Sequence, residues 1–487
     1  MRRLAAGIVG CVLTVATLAG CQSGPPSGPN AEPSSLGGSL GGSVSTSDGP
    51  GTSASGTSWS GLATCTGQLQ AYRCGVLRVP LDRSAPAAAR VALPVVVGGK
   101  LDAARTLLFL TGGPGQGGVA AAARVIPRFA AVGAQQRIVL LDQRGTGTGA
   151  LSCPALQQQM RSSDLTVPTE LAVTACATAI GPNRAHYATT DTVADLEDLR
   201  AALGAEKWSL DGVSYGTYVA QRYAAAHPDR VDRLVLDSVV PMTAFDPLLT
   251  DVYPEVARVL RAVCATESCA GDPAEALNAT VRRWPDLSPV LLDLVTGMSV
   301  ADPTFGGLIP ALFQAAAGQD QAVRSFAATW QAADTTDAGS LSQGLHASTL
   351  CLDLDFPWGG ANTDPATRAA TVEAKVAALP TDRLFPFDAT AARGNGEVVT
   401  CRAWPTTPDA WSTADAQAAV AALATSGPRT LILAGDRDVS TPMVWAKATA
   451  SAMPGSRLVV VPGAGHSVQS RSGPVGGAEA TAFLLTP

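Results

Sequence analysis

Apolar positions along the chain recur in two rhythms. Short, nearly continuous apolar runs bounded by glycine, proline or acids have the pattern of buried strands, and longer stretches with apolar residues three and four apart have the period of helices. Residues 75–81 and 91–97 read as an opening antiparallel pair of strands. Residues 106–110, 137–141, a run led by Lys207-Trp208, and residues 233–237, 429–433 and 457–461 follow as further strands. Segment 191–203 sets Val193, Leu196, Leu199 and Leu203 on one face and acids on the other, so it should cover the sheet just before the Lys207-Trp208 strand. Strand and helix in this alternation predict a doubly wound, mostly parallel α/β sheet.

Two stretches break the alternation. Between residues 241 and 426 the strand signal disappears, and amphipathic, alanine-rich helical segments replace it at 254–263, 273–284, 308–333 and 365–379. That length, inserted between two strands, reads as a helical lid, with the core supplied by 62–240 and 427–487. At the N-terminus, Met1-Arg2-Arg3 precedes an apolar run too short to span a membrane comfortably, followed by Leu18-Ala19-Gly20-Cys21. This tetrad resembles the bacterial lipobox, which implies a signal peptide over 1–20 and a lipid on Cys21. Residues 21–61 are dominated by Gly, Ser, Pro, Thr and Ala without apolar periodicity, and should form a flexible tether.

Composition narrows the picture. Of 487 residues, 46% are hydrophobic and 15% charged, enough for a large core, and the net charge of −6 disfavours nucleic acid or an anionic membrane surface as electrostatic partners. Apart from Cys11 and Cys21, eight cysteines remain: Cys65, Cys74, Cys153, Cys176, Cys264, Cys269, Cys351 and Cys401. An even count in an exported chain implies four disulfides. The first four flank loops of the core and the last four belong to the lid, so sequential pairing is expected. No C-x2-C pair or histidine cluster accompanies them to suggest zinc.

The chemistry centres on Gly212-Val213-Ser214-Tyr215-Gly216, between a strand and a helix. This is the pattern of a nucleophile elbow, a turn so tight that a Cβ at either glycine should clash and the serine is left alone at its tip. A serine hydroxyl needs a base, and the base needs an orienting carboxylate. Of four histidines, His186, His227 and His346 read as structural, whereas His466 lies in Gly463-Ala464-Gly465-His466-Ser467, directly after the final strand. The loop after the preceding strand carries two acids, Asp436 and Asp438, of which Asp438 lies deeper in the turn.

Four segments together resemble the proline iminopeptidase group of serine hydrolases, and more closely its secreted, tripeptidyl aminopeptidase-like branch from actinobacteria. They are Gly112-Gly113-Pro114-Gly115, Asp142-Gln143-Arg144-Gly145-x-Gly147, the Ser214 turn, and Gly435-Asp436-x-Asp438-x-x-Thr441-Pro442. The likeness runs from about Cys65 to the C-terminus and includes the cysteine placement. It implies an α/β-hydrolase fold with Ser214 as nucleophile, His466 as base and Asp438 as its orienter. The oxyanion donors would be the backbone N–H groups of Tyr215 and Gly113, with Gly112 as the alternative. Two positions depart from the family: Thr111 stands where histidine is usual, and Gly149 where serine is. Asp142 and Arg144 read as a structural pair holding their glycine loop.

The resemblance implies release of residues or short peptides from free N-termini. Such an enzyme must meet the substrate ammonium with a carboxylate. In residues 350–356, alternation along an extended segment would point Asp353 and Asp355 to the same side, making a negative site. The expected partners are a peptide substrate and the membrane through Cys21, with no nucleic acid, metal or cofactor, and the chain is expected to act as a monomer outside the cytoplasm. An esterase or lipase acting on envelope esters is the alternative, since one triad serves both bonds. A ligand-binding lipoprotein without chemistry does not need a full triad. Haloalkane dehalogenases and epoxide hydrolases need aspartate where Ser214 stands.

Overall fold

Apolar runs buried on both faces require helices on both sides of the sheet. The computed structural model describes residues 56–486, apart from Ala244, Ser268 and Ser472. The signal segment, Cys21 and residues 22–55 lie outside the described residues. Ten strands form one sheet: β1 (Ser58–Trp59), β2 (Ala63–Thr64), β3 (Arg73–Pro80), β4 (Arg90–Gly99), β5 (Thr106–Leu110), β6 (Arg137–Leu141), β7 (Trp208–Val213), β8 (Val231–Asp237), β9 (Arg429–Gly435) and β10 (Arg457–Val461). Their spatial order is β1-β3-β4-β6-β5-β7-β8-β9-β10, with β2 also paired to β3. From β6 to β10 every pairing is parallel, and β4 runs antiparallel between β3 and β6. The opening hairpin and the six later strands expected from the apolar runs are all present. Residues 58–59, assigned above to the tether, are already paired into the sheet against Arg78 and Leu77.

Successive side chains of a strand face opposite sides, and the core divides accordingly. Leu108, Leu110, Val139, Leu210, Leu234 and Ile432 pack under helices Thr189–Ala202 and Tyr215–Ala226. Leu107, Phe109, Ile138, Leu140, Val235 and Leu431 pack on the other face under Gly118–Arg128 and Pro474–Leu485.

Between β8 and β9 the described residues form ten α-helices. The expected helix over 308–333 is two, Leu308–Ala316 and Gln321–Ala333, because Gly318 at φ 97° turns the chain between them. The first part of the insertion has an apolar core of its own, including Val256, Leu260, Leu277, Leu291 and Leu312. The second part is divided: Val372, Val376, Phe387 and Val398 join that core, whereas Cys351, Cys401, Trp404, Ala419 and Leu423 share one cluster with the sheet strands. The insertion is therefore partly a cap and partly a fused layer of the core.

All four disulfides pair sequentially: Cys65–Cys74, Cys153–Cys176, Cys264–Cys269 and Cys351–Cys401. The last closes a separation of 50 residues and joins helices Gln343–Asp353 and Gly396–Ala403, whereas Cys264–Cys269 closes only 5. Chain entropy alone assigns about 4 kcal/mol to the long loop and about 2 kcal/mol to the short one. Replacing both members of each pair by alanine should lower stability more for Cys351/Cys401 than for Cys264/Cys269, as read by denaturant titration. The reverse order would show that local geometry, not loop closure, sets their value.

Candidate active site

The turn after β7 has no spare space. A Cβ on Gly212 would lie 2.3 Å from the carbonyl oxygen of Gly216, and one on Gly216 would lie 2.4 Å from that of Leu110. Both glycines are required by close backbone approach, as expected. Ser214 itself sits at φ 56°, ψ −127°, a region costing on the order of 1–3 kcal/mol for a residue with a side chain. Its N–H donates to the carbonyl of Asp237 at 3.0 Å, at the end of the neighbouring strand β8. The N–H of Tyr215 opens helix Tyr215–Ala226, where no carbonyl one turn back is available to accept it. Gly113, at φ 108°, lines both cavities that meet at Ser214, and Tyr215 lines one of them.

His466 and Asp438 come together from the loops after β10 and β9. Nδ1 of His466 lies 3.0 Å from Oδ2 of Asp438, and both residues are buried. The other carboxylate oxygen accepts the backbone N–H groups of Ser440 and Thr441, each at 2.9 Å. The Thr441 hydroxyl donates to Asp438 Oδ2 at 2.7 Å and lies 3.2 Å from His466 Nδ1. Burial pushes the Asp438 carboxyl up, but His466 and these donors outweigh it and hold it below the ordinary range. Burial likewise pulls the His466 imidazole down, and Asp438, with Asp237 behind it, more than compensates. Asp436 has another task, accepting the Gly463 N–H at 2.6 Å. Ser214 and His466 line one cavity.

Residues 105–471 match the family model described as alpha/beta hydrolase fold. The chain belongs to that family. A tripeptidyl aminopeptidase of Streptomyces coelicolor is 33% identical over 267 residues, 49% of each chain. The serine protease Hip1 of Mycobacterium tuberculosis H37Rv is 30% identical over 241 residues, 42% of this chain and 44% of Hip1. A probable proline iminopeptidase of Streptomyces coelicolor is 36% identical over 127 residues, 25% of this chain and 32% of the relative. The chain thus matches about half the length, or less, of these curated relatives.

In this α/β-hydrolase, two chambers flank Ser214. The larger, about 610 Å³, is lined by His466, Gln116, Thr296, Trp330 and Arg471. The smaller, about 50 Å³, is walled by Val240, Phe245, Leu249, Val252, Leu354 and Trp445. Glu397 and His346 also face the smaller one, and Asp164 lies where the two meet. Glu397 is only 7% exposed, and its Oε2 has no hydrogen-bond partner among the described residues. Burial, with Asp164 and Asp246 nearby, holds its carboxyl well above the ordinary value. His346 is 3% exposed, and its Nδ1 lies 3.0 Å from the Pro114 carbonyl. A carbonyl only accepts, so Nδ1 carries a proton, and Nε2 has no hydrogen-bond partner among the described residues.

The acids expected to meet a substrate amine are elsewhere. Asp353 is not on an extended segment: it ends helix Gln343–Asp353, whose 3.6-residue period removes the expected alternation with Asp355. Its buried Oδ2 accepts the Thr189 N–H at 2.9 Å and the Tyr215 hydroxyl at 2.8 Å, and Arg222 lies 3.9 Å away. Asp355 is exposed and bonded to the Thr413 hydroxyl. Neither lines the two chambers. Asp142 and Arg144 are structural but are not a pair. Asp142 accepts the Val119 N–H at 2.9 Å, while buried Arg144 grips Asp195 through two bonds of 2.6 and 2.7 Å.

Sequence reasoning missed Glu397, Asp164 and Asp237, and took His346 as structural. Glu397, Asp164 and His346 share no local motif with Ser214, since the lid and the loop before helix Glu170–Ile180 bring them in from afar. Only Asp237, an acid closing an apolar strand, carried a local signal. Its carboxylate accepts the N–H groups of Val468 and Gln469, each at 2.9 Å, in the turn after His466. Asp237→Asn turns one acceptor into a donor facing those groups, at a cost of about 1–3 kcal/mol. Amide exchange at Val468 and Gln469 should therefore speed up on the order of tenfold or more, measured by hydrogen exchange. Unchanged protection would show that the loop is held by other contacts.

Proposed function

We propose that the chain is an exported serine aminopeptidase that uses Ser214, His466 and Asp438. Ser214 Oγ attacks the scissile carbonyl while His466 Nε2 takes its proton. The N–H groups of Gly113 and Tyr215 receive the developing oxyanion. The imidazolium then gives its proton to the leaving amine, the acyl group stays on Ser214, and water repeats the sequence in the deacylation half. Asp438 holds the ring in the tautomer that leaves Nε2 free. The relatives named as tripeptidyl aminopeptidase and proline iminopeptidase support a peptide substrate. Export and a lipid on Cys21 rest on the N-terminal sequence alone. None of the described helices is long and apolar enough to cross a membrane.

The observation that carries the reading is the unpartnered Glu397 Oε2 in the chamber beside Ser214. A buried polar group left unpaired costs about 1–3 kcal/mol, and an incoming ammonium would relieve that. An ammonium offers three N–H donors. Glu397, the Nε2 of His346 and Asp164 supply acceptors around one small space, so this chamber, rather than Asp353 and Asp355, is the proposed amine site.

Two outcomes test the assignment. Ser214→Ala or His466→Ala should leave a folded protein whose turnover falls by several powers of ten, and Ser214→Ala should abolish labelling by a fluorophosphonate. Near-normal turnover in either variant would remove the triad. For the amine, burial favours the neutral form of the Glu397 carboxyl in the free enzyme, and that form must release its proton to pair with an ammonium. KM for peptides with a free amine should therefore fall as pH rises, until the substrate amine itself deprotonates at about pH 7.7–8.0. Glu397→Gln should lose that fall and raise KM for free-amine peptides at least tenfold, with little effect on a small neutral ester. Equal cleavage of free and N-acetylated peptides by the wild type would favour the esterase or endopeptidase reading instead.

A further inference from the structure

We infer that the chain removes one small apolar residue per cut, because the acyl side of Ser214 is a small chamber with room for a single residue. The inference rests on the aminopeptidase reading above and concerns how many residues lie between the amine site and the scissile bond.

The base decides which chamber takes which half of the substrate. His466 must hand its proton to the departing amine, so the leaving peptide lies on the His466 side. His466 lines the large chamber and not the small one, whereas Tyr215 lines only the small one. The peptide remaining after the cut therefore fills the large chamber of about 610 Å³, and the acyl group enters the small one of about 50 Å³.

Size then sets the length. A cavity needs about 10–15 Å³ on this measure for each water, so the small chamber has room for about three or four. Water occupies about 30 Å³ apiece in the liquid, which makes the displaced volume on the order of 100 Å³, the bulk of one small residue. Three residues in extended form need about 10 Å of length as well as three times the volume. Ser214 and the acceptors Glu397 and His346 all line this one chamber, so an ammonium held there shares it with the carbonyl at Ser214.

The walls set the side chain. Phe245 and Trp445, with ring centroids 5.5 Å apart, close the chamber together with Val240, Leu249 and Val252. An apolar residue of alanine size satisfies them. A charged side chain would be desolvated beside Glu397 without a dedicated partner, and a large one has no volume to occupy.

The test follows the first product. Incubated with a free peptide beginning Ala-Ala-Ala, the wild-type protein should release alanine first and shorten the peptide one residue at a time, as read by mass spectrometry. Alanyl anilide should give free aniline without delay, and trialanyl anilide should give it only after a lag, once two residues have left. A tripeptide as first product, or immediate aniline from the trialanyl substrate, overturns the inference while leaving the aminopeptidase reading in place. Cleavage of small esters with none of any free peptide overturns that reading itself. Phe245→Ala enlarges the chamber at a half-buried position and should raise kcat/KM for leucyl over alanyl anilide at least tenfold relative to wild type. Leu249→Ala provides the same comparison should Phe245→Ala fold poorly. An unchanged preference in a folded variant of either kind counts against the chamber as the acyl site.

Discussion

Asp237 holds the two halves of the site in one frame. Its carbonyl accepts the N–H of Ser214, and its carboxylate accepts the N–H groups of Val468 and Gln469 behind His466. The hydroxyl of its neighbour Ser238 accepts the N–H of Ser467 at 2.8 Å. Three serines in this network, Ser214, Ser238 and Ser467, have positive φ, at 56°, 58° and 62°. Such backbone persists only where its surroundings over-determine it. Here the surroundings are the ends of parallel strands, and the hydrogen bonds that offset the strain are the same ones that set His466 relative to Ser214. Gln469 extends the grip to β7 by donating to Asp211 at 2.9 Å, whose carboxyl burial pushes up to about 7.

Environment, more than residue type, separates the acids of this protein. Asp438 is buried but receives four donors, so its charge is retained. Glu397 is equally hidden and receives none at Oε2, so its neutral form is favoured. Asp353 is buried too, yet its Oδ2 is committed to Thr189 and Tyr215. One carboxylate therefore keeps its charge beside the His466 ring, one favours its neutral form, and one ties the insertion to Tyr215. The sequence shows three acids and none of these differences, because each depends on which distant segments arrive.

What was legible in the sequence was whatever depends on neighbours along the chain. The strands could be read because each is a run of buried side chains, and the elbow because its glycines answer to carbonyls only a few residues or one strand away. The choice of Asp438 over Asp436 followed from depth in a single turn. Residues 350–356 were misread because their apolar and acidic residues fit an alternating strand as well as a helix end, and only packing against the core decides between the two. Glu397 and His346 were invisible as a pair, being separated by about a quarter of the insertion and joined only by its fold.

The insertion is a structural member of the site, not a cover laid over it. The N–H of His466 donates to the carbonyl of Ser299 at 2.9 Å, and Arg471 donates to that of Val300 at 3.2 Å, both at the end of lid helix Ser288–Ala301. Those carbonyls would otherwise be orphans of a helix terminus. Gly465 has to be glycine at this contact, since a Cβ there would lie 1.9 Å from the Ser299 oxygen. On the opposite side, Asp353 binds the Tyr215 hydroxyl, and Arg222 stacks on Trp411 with its guanidinium 3.3 Å from the ring centroid. His466 is thus held from the lid by one helix, and Tyr215 by another. Any displacement of the insertion large enough to open the small chamber would also pull on His466 or Tyr215. Chamber size and catalytic geometry are then one property of the fold, and a change in what the enzyme accepts must be made by side chains within the chamber rather than by moving its walls.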